Sequence, residues 1–304
     1  MPASLPTIAI TLGEPAGIGP EVVAAALRHP RLSAGFRYEV LGETTGVRPG
    51  KPTARSAGQA LAALEEAAAG WKEGRYAAIV TGPVQKETLQ KLGNSRFSYP
   101  GQTEFFAVRS GVPADRAVMV LTSRRLTVAL LSTHCSLREA LRKITAAKLR
   151  HVVGETARFF RRQGVAVPRI AVAGINPHAG ENGLFGDEEG RVLAPAIAAL
   201  ERNRKQEEPF ALSGPHSPDT VYWRALQGEY EAVISAYHDQ GLIPFKLVSF
   251  HDGVNVTLGL PLIRTSPDHG TALDLAGTGK ADPRSMVAAI ALAARLARPS
   301  AASR

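Results

Sequence analysis

The 304-residue sequence predicts a two-lobed, three-layer α/β/α protein with an extended, largely parallel sheet. Two observations predict it. Short β-rich runs alternate with longer amphipathic or alanine-rich segments along the whole chain, the pattern of parallel strands flanked by helices. With 44% hydrophobic and 21% charged residues, a chain of this length has an ordinary globular composition and can bury a substantial core. It reads as a single unit with a central cleft, and nothing in the sequence fixes the lobe boundaries.

The elements follow in order. A strand is predicted over residues 7–12, ending in Gly13-Glu14-Pro15-Ala16-Gly17-Ile18-Gly19-Pro20. A helix over 21–28 comes next, with Pro20 suited to its first turn. Then come a strand over 38–41, an alanine-rich helix over 58–71, and a buried strand over 76–80 leading into Thr81-Gly82-Pro83. Two adjacent strands, 117–121 and 126–131, are joined at 122–125, and residues 137–160 carry one or two helices. A strand over 169–173, a helix over 192–203, strands over 232–236 and 254–258, and an alanine-rich helix over 285–296 complete the pattern. No internal repeat or low-complexity linker interrupts it.

Several function classes are disfavoured at once. No apolar run approaches the roughly 20 residues that span a bilayer, so no membrane partner is expected. Residues 1–6 lack a basic region followed by an apolar stretch, so no secretory signal is expected and a cytoplasmic location is. Cys135 is the only cysteine, which excludes an intrachain disulfide and any multi-cysteine metal site. The net charge of +9 asks for an anionic partner. The basic residues are scattered rather than gathered into an arm interleaved with aromatics, so a small phosphorylated or carboxylated molecule is expected and nucleic acid is not.

Three of the eight histidines stand just after predicted strands: His134 in Ser132-Thr133-His134, His178 in Asn176-Pro177-His178-Ala179-Gly180, and His238 in Tyr237-His238-Asp239-Gln240-Gly241. In open α/β sheets that edge is where ligands bind. Three neutral imidazoles with positions left open would hold a divalent ion such as zinc, cobalt, nickel or manganese. Such an ion would polarise an alcohol oxygen. Loop histidines satisfied by ordinary hydrogen bonds are the competing reading, since the spacing is not that of a helical metal motif.

The run from Tyr237 to Asp282 is more specific. It contains Tyr237-His238-Asp239-Gln240-Gly241, Lys246, Gly253-Val254-Asn255-Val256-Thr257, Ile263-Arg264-Thr265-Ser266 and Asp268-His269-Gly270-Thr271-Ala272. With Gly13 to Glu21, Thr81-Gly82-Pro83, Gly101-Gln102-Thr103-Glu104-Phe105-Phe106-Ala107 and Asn176 to Glu181, it closely resembles the 4-hydroxythreonine-4-phosphate dehydrogenase family, the PdxA enzymes of vitamin B6 synthesis. The resemblance covers nearly the whole chain in the same order.

The resemblance implies a set of roles. Metal ligands fall on His134, His178 and His238, with the ion (zinc, cobalt or magnesium) at a homodimer interface and its ligands drawn from both subunits. Substrate contacts fall on Thr103, Lys246, Asn255 and Arg264, and a further one, usually histidine, on Gln102. Lys246 and Arg264 suit an anionic group, because each brings fixed positive charge and several donors. No Gly-x-Gly-x-x-Gly follows the first strand, so a Rossmann cofactor site is disfavoured. Instead the Gly17-to-Val22 segment and the run His269-Gly270-Thr271-Ala272-Leu273-Asp274, continuing to Asp282, resemble the isocitrate and isopropylmalate dehydrogenases, which share the family's fold and bind NAD there. Asp274 could accept from ribose hydroxyls, favouring NAD over NADP, and Asp282 falls where those relatives contact adenine.

The activity implied is NAD-dependent oxidation of 4-phosphohydroxy-L-threonine to a 3-oxo acid that decarboxylates to 3-amino-2-oxopropyl phosphate. Asp239, Asp219 and Lys86 are candidates for the proton acceptor. Two departures from the family pattern bear on the substrate: Gln102 and Gln85 stand where histidine is common, and an amide does not titrate near neutral pH. A dehydrogenase of 4-phosphothreonate or 4-phosphoerythronate is therefore the alternative. An anion- or nucleic-acid-binding protein on the same scaffold is the non-enzymatic one.

Overall fold

The computed structural model describes residues 5–91, 99, 101–203 and 209–298. The chain forms two compact units, one made of Met1–Ala117 with His251–Arg304, the other of Val118–Phe250. The first unit is thus discontinuous in sequence, and no propensity in the chain announces that. Both are mixed α/β, and their sheets are mostly parallel, as expected.

The first unit opens with β1 (Thr7–Thr11), α1 (Gly19–Leu27), β2 (Arg37–Leu41), α2 (Ala54–Lys72), β3 (Tyr76–Thr81), α3 (Lys86–Lys91) and α4 (Gln102–Arg109). Thr53 starts α2 with a reciprocal cap: its hydroxyl accepts from Ser56 N while Ser56 Oγ accepts from Thr53 N. β2 and β3 both pair with β1 in parallel. The path therefore steps from β1 to β2 and then back past β1 to β3. Right-handed crossovers place α1 and α2 on opposite faces of such a sheet, and the reversal makes a ligand-binding edge where β1 and β3 end. Both glycine-bearing loops start there. They touch backbone to backbone: a Cβ on Gly13 would sit 2.3 Å from Pro83 O, and one on Gly82 would sit 2.4 Å from Leu12 O.

The second unit follows with β4 (Val118–Thr122), β5 (Thr127–Leu130), α5 (Leu137–Lys143), α6 (Ala146–Arg162), β6 (Arg169–Ala173), α7 (Ala194–Arg202), β7 (Ala211–His216), α8 (Pro218–Leu226), β8 (Ala232–Ser235) and α9 (His238–Ser249). β4 and β5 form the expected adjacent pair, antiparallel. The others run parallel in the order β5-β8-β6-β7, so β8 lies between β5 and β6. Its core packs Leu121, Val128, Val233 and Phe245 among others. The chain then returns to the first unit with β9 (Val254–Leu258), β10 (Arg264–Pro267) and α10 (Arg284–Ala297). β10 pairs with β3 in parallel and with β9 antiparallel.

Six elements are absent from the sequence reading, α3 and α4 among them. β7 carries Gly214 and Pro215, and β10 is four residues ending in Pro267, so neither shows a β-rich run. α8 begins in Ser217-Pro218-Asp219, which reads as a turn. His238 to Gly241 also reads as a turn, whereas the structure makes His238 the first residue of α9, a helix with Pro244 inside it. Among the described residues no helix is long and apolar enough to cross a membrane.

Candidate active site

In the first unit, a buried arginine organises the site. Arg264 on β10 is 3% exposed and forms no ion pair among the described residues. Its Nε and Nη2 donate to Thr81 Oγ1 at 3.1 and 2.6 Å, Nη1 to Thr257 Oγ1 at 3.1 Å, and Nη2 to Gln102 Oε1 at 2.8 Å. Of the five N–H groups of a guanidinium, one on Nη1 is left uncommitted by these bonds. Burial lowers the Arg264 pKa to about 10, with Glu104 opposing weakly from a distance, so the group remains charged at neutral pH. A desolvated cation held only by neutral oxygens is costly unless an anion binds it.

The sequence pattern identifies Arg264, Gln102, Thr103 and Asn255, and the structure gathers these. Gln102 Nε2 donates to Gly82 O at 3.0 Å, so this amide spans the β3 loop and the guanidinium. Thr103 Oγ1 lies 3.5 Å from Thr257 Oγ1. Asn255 stands opposite Ser266 in the β9–β10 register, and its Oδ1 is buried without a hydrogen-bond partner among the described residues. Thr81 and Thr257 are the residues the sequence reading missed as arginine partners, although both lie within motifs that carry the resemblance. Lys86 heads α3, and a Cβ on Gly101 would lie 3.7 Å from its Nζ and 3.3 Å from Glu104 Oε2.

The two stretches expected to line a dinucleotide also meet in this unit. Ile18 N donates to Thr271 O at 2.9 Å, and Gly17 has no room for a Cβ, which would fall 2.8 Å from the same oxygen. Gly279 N donates to Glu21 Oε2 at 3.0 Å, and Thr271 Oγ1 to Gln85 Oε1 at 3.1 Å. Ala272 holds a positive φ of 38°. His269 places Nδ1 3.0 Å from Gly270 O, while its Nε2 is buried without a partner among the described residues. Gly270 and Asp274 belong to this strap; Asp274 is exposed. Asp282 pairs with Arg284 and lies 3.2 Å from His251 Nδ1. The hydrogen bond from Arg284 keeps its carboxyl below the ordinary range.

In the second unit, β5 and β8 are neighbours with Leu130 opposite Ser235. His134 and His238 lie four and three residues beyond these positions, and their ring centroids are 5.4 Å apart. His238 Nδ1 is 2.7 Å from Asp239 Oδ1, a bond that fixes the ring and leaves Nε2 as the nitrogen able to bind a cation. Two imidazoles at that separation, one of them oriented by a carboxylate, fit a divalent ion of the zinc or cobalt type. His178 does not join them: among the described residues no group of three His, Cys, Asp or Glu side chains gathers. Instead it sits in the turn Pro177–Gly183, where His178, Ala179, Glu181 and Asn182 all have φ between 43° and 55°. That left-handed path is pinned by Glu189, which accepts from Ile175 N at 2.6 Å and from Asn176 N at 2.7 Å. Burial pushes the Glu189 carboxyl up, but these bonds outweigh it and hold it below the usual carboxylate range.

Asp219, at the start of α8, accepts from Ser217 Oγ at 2.6 Å. That bond pulls its carboxyl down and makes it a weaker proton acceptor. Lys246 lies two turns along α9 from His238, its Nζ 5.8 Å from the centre of the Phe250 ring.

Fold and cradle together define an α/β protein with a buried cation held by neutral groups, beside loops that start at strand ends. Comparison makes that class specific. Residues 23–293 match the family described as "Pyridoxal phosphate biosynthetic protein PdxA". The chain is 42% identical to a 4-hydroxythreonine-4-phosphate dehydrogenase of Geobacter metallireducens, covering 98% of this chain and 97% of that one. It is 40% identical to a D-threonate 4-phosphate dehydrogenase of Salmonella typhimurium, covering 96% and 99%. A crystal structure of a 4-hydroxythreonine-4-phosphate dehydrogenase from Klebsiella pneumoniae matches with a TM-score of 0.82 and 39% identity, covering 98% and 100%. The chain belongs to the PdxA family and is an oxidoreductase of the dehydrogenase class.

Proposed function

We propose that the chain oxidises the 3-hydroxyl of 4-phosphohydroxy-L-threonine with NAD. The observation that carries this reading is Arg264, a buried cation without a carboxylate partner among the described residues, bonded to two hydroxyls and to the amide of Gln102, a family position for substrate. Its charge answers the anionic end of the substrate, with Thr103, Asn255 and Gln102 orienting oxygens and Lys246 adding a second positive charge. Oxidation removes hydride from C3 and a proton from its hydroxyl. The resulting 3-oxo acid has its carboxyl β to a carbonyl and loses carbon dioxide, leaving 3-amino-2-oxopropyl phosphate.

The strap from His269 to Asp282 would hold NAD, which would supply the hydride acceptor, and Asp274 would disfavour the 2′-phosphate of NADP. His134 and His238, with His178 from a second copy, would hold a divalent cation, which would supply Lewis acidity for the substrate hydroxyl. Asp239 orients His238 and is the leading candidate to receive the hydroxyl proton; Lys86 is the other. Supporting a homodimer, α9 carries an exposed apolar stripe, Ile243 (68% exposed), Leu247 (84%) and Phe250 (66%), beginning one turn beyond His238. Leu184 and Trp223 are exposed as well in the same unit.

Oxidation of D-threonate 4-phosphate is the second reading. It rests on the 40% identity to a relative of that name, beside 42% for the other, and Gln102 in place of the family's usual histidine does not choose between the two. NADH formation with each phosphorylated acid, in added zinc, cobalt or magnesium, separates the two. The larger kcat/KM names the substrate, and no turnover of either sinks both. His178→Ala should lose bound metal and turnover together, and full activity in that variant would remove the proposed ion site.

A further inference from the structure

The second unit contains a cavity of about 740 Å³ that no part of the dehydrogenase reading uses. It lies between the end of α5, the start of α6 and one side of α7. That volume is within the range of small-molecule sites. Ile144, Val192, Pro195 and Leu200 give it a predominantly apolar wall. Its polar side is cationic, with Arg142, Arg150 and Arg191 against a single carboxylate, Glu188. Glu188 is already engaged, accepting from Asn176 Nδ2 at 2.7 Å, and Arg191 is paired with Asp187. Arg142 and Arg150 have neither an ion pair nor a hydrogen bond among the described residues.

We propose that this cavity binds a small amphipathic anion, a molecule with an apolar ring or chain and one oxyanion head, independently of the dehydrogenase site. The apolar wall takes the body of the ligand, and Arg142 and Arg150 take the head, since a guanidinium offers paired donors to a planar or tetrahedral oxyanion. A neutral apolar ligand would leave both charges unanswered, and a purely ionic one would leave the wall wet. The site abuts the His178 segment: Ile175 lines the cavity three residues before His178, and Glu188 holds Asn176 from the same wall.

The test uses the full chain with 1-anilinonaphthalene-8-sulfonate, an aromatic anion that fluoresces on apolar surfaces. Wild type should titrate to one saturable site per chain. Arg142→Ala/Arg150→Ala should weaken that site by at least about tenfold, and Ala199→Trp, which fills the cavity, should abolish it. Both variants should keep the wild-type melting temperature and NADH-forming activity. Benzoate and phenyl phosphate should displace the probe, and benzyl alcohol should not. Wild-type affinity in folded variants, equal displacement by the neutral alcohol, or a halved mass by light scattering for Ala199→Trp, marking the groove as a contact between copies, would each overturn the proposal.

Discussion

Arg264 pays no visible dividend in the unliganded protein: it is charged, buried and bonded only to neutral groups. Its replacement by methionine, similar in reach and without charge, should therefore leave melting temperature unchanged or raise it. The same change should raise KM for the phosphorylated substrate by one to two orders of magnitude, since a charge-assisted contact is worth about 1.5–3 kcal/mol. A calorimetric scan with steady-state kinetics checks both halves. Gln102 has no titrating group, so Gln102→His should alter the kcat/KM profile between about pH 6 and 7 relative to the parent measured alongside it. Arg264 and Gln102 were legible because their motifs are local in sequence. Their partnership was not, because Thr81 lies 183 residues from Arg264 and no local pattern encodes that contact.

Elements show where local reading works and where it stops. The buried strands and alanine-rich helices were legible from composition and period, but β7 and β10 contain residues that strands usually avoid and exist because their neighbours supply ladder partners. The His178 turn was marked by its motif, while its left-handed path was hidden: four non-glycine residues at positive φ hold there because Glu189, further along the chain, engages Ile175 and Asn176. Glu189→Ala should destabilise the protein by about 3 kcal/mol through two orphaned N–H groups, and Glu189→Gln by less, measured in urea. His216, on β7, is a second element-scale group. Burial, with Arg224 adding to it, lowers its pKa from 6.5, so the folded chain resists a proton that the unfolded chain accepts. Its neutral form thus supports the fold at neutral pH, and that support declines as pH falls below about 6.5. His216→Asn should flatten the melting temperature between pH 6.5 and 5, where carboxylates have yet to titrate.

For the whole molecule, the fold class was readable because alternation of strand and helix is a global pattern, whereas the division into units was not, because His251–Arg304 returns to a unit begun by Met1–Ala117. Three strand-end histidines were all visible, yet only two converge within one chain. If a second copy completes the set, disrupting the exposed stripe should empty it. Leu247→Arg should lower the mass in light scattering to that of one chain and release bound metal, with secondary structure by circular dichroism intact. A dimeric Leu247→Arg protein that retains its metal would show that the stripe faces something else.

The discontinuity of the first unit also sets an order of events on the ribosome. Val118–Phe250 is contiguous and can close its core as soon as it emerges. β1, β2 and β3 are made earlier, but β10, which pairs with β3 and bears Arg264, comes more than 180 residues after that strand begins. Until then the sheet edge along β3 is bare, and Thr81 and Gln102 lack the guanidinium they will bond. The half of the protein synthesised first is the half that matures last, and it spends that interval with a hydrophobic strand edge open to other chains.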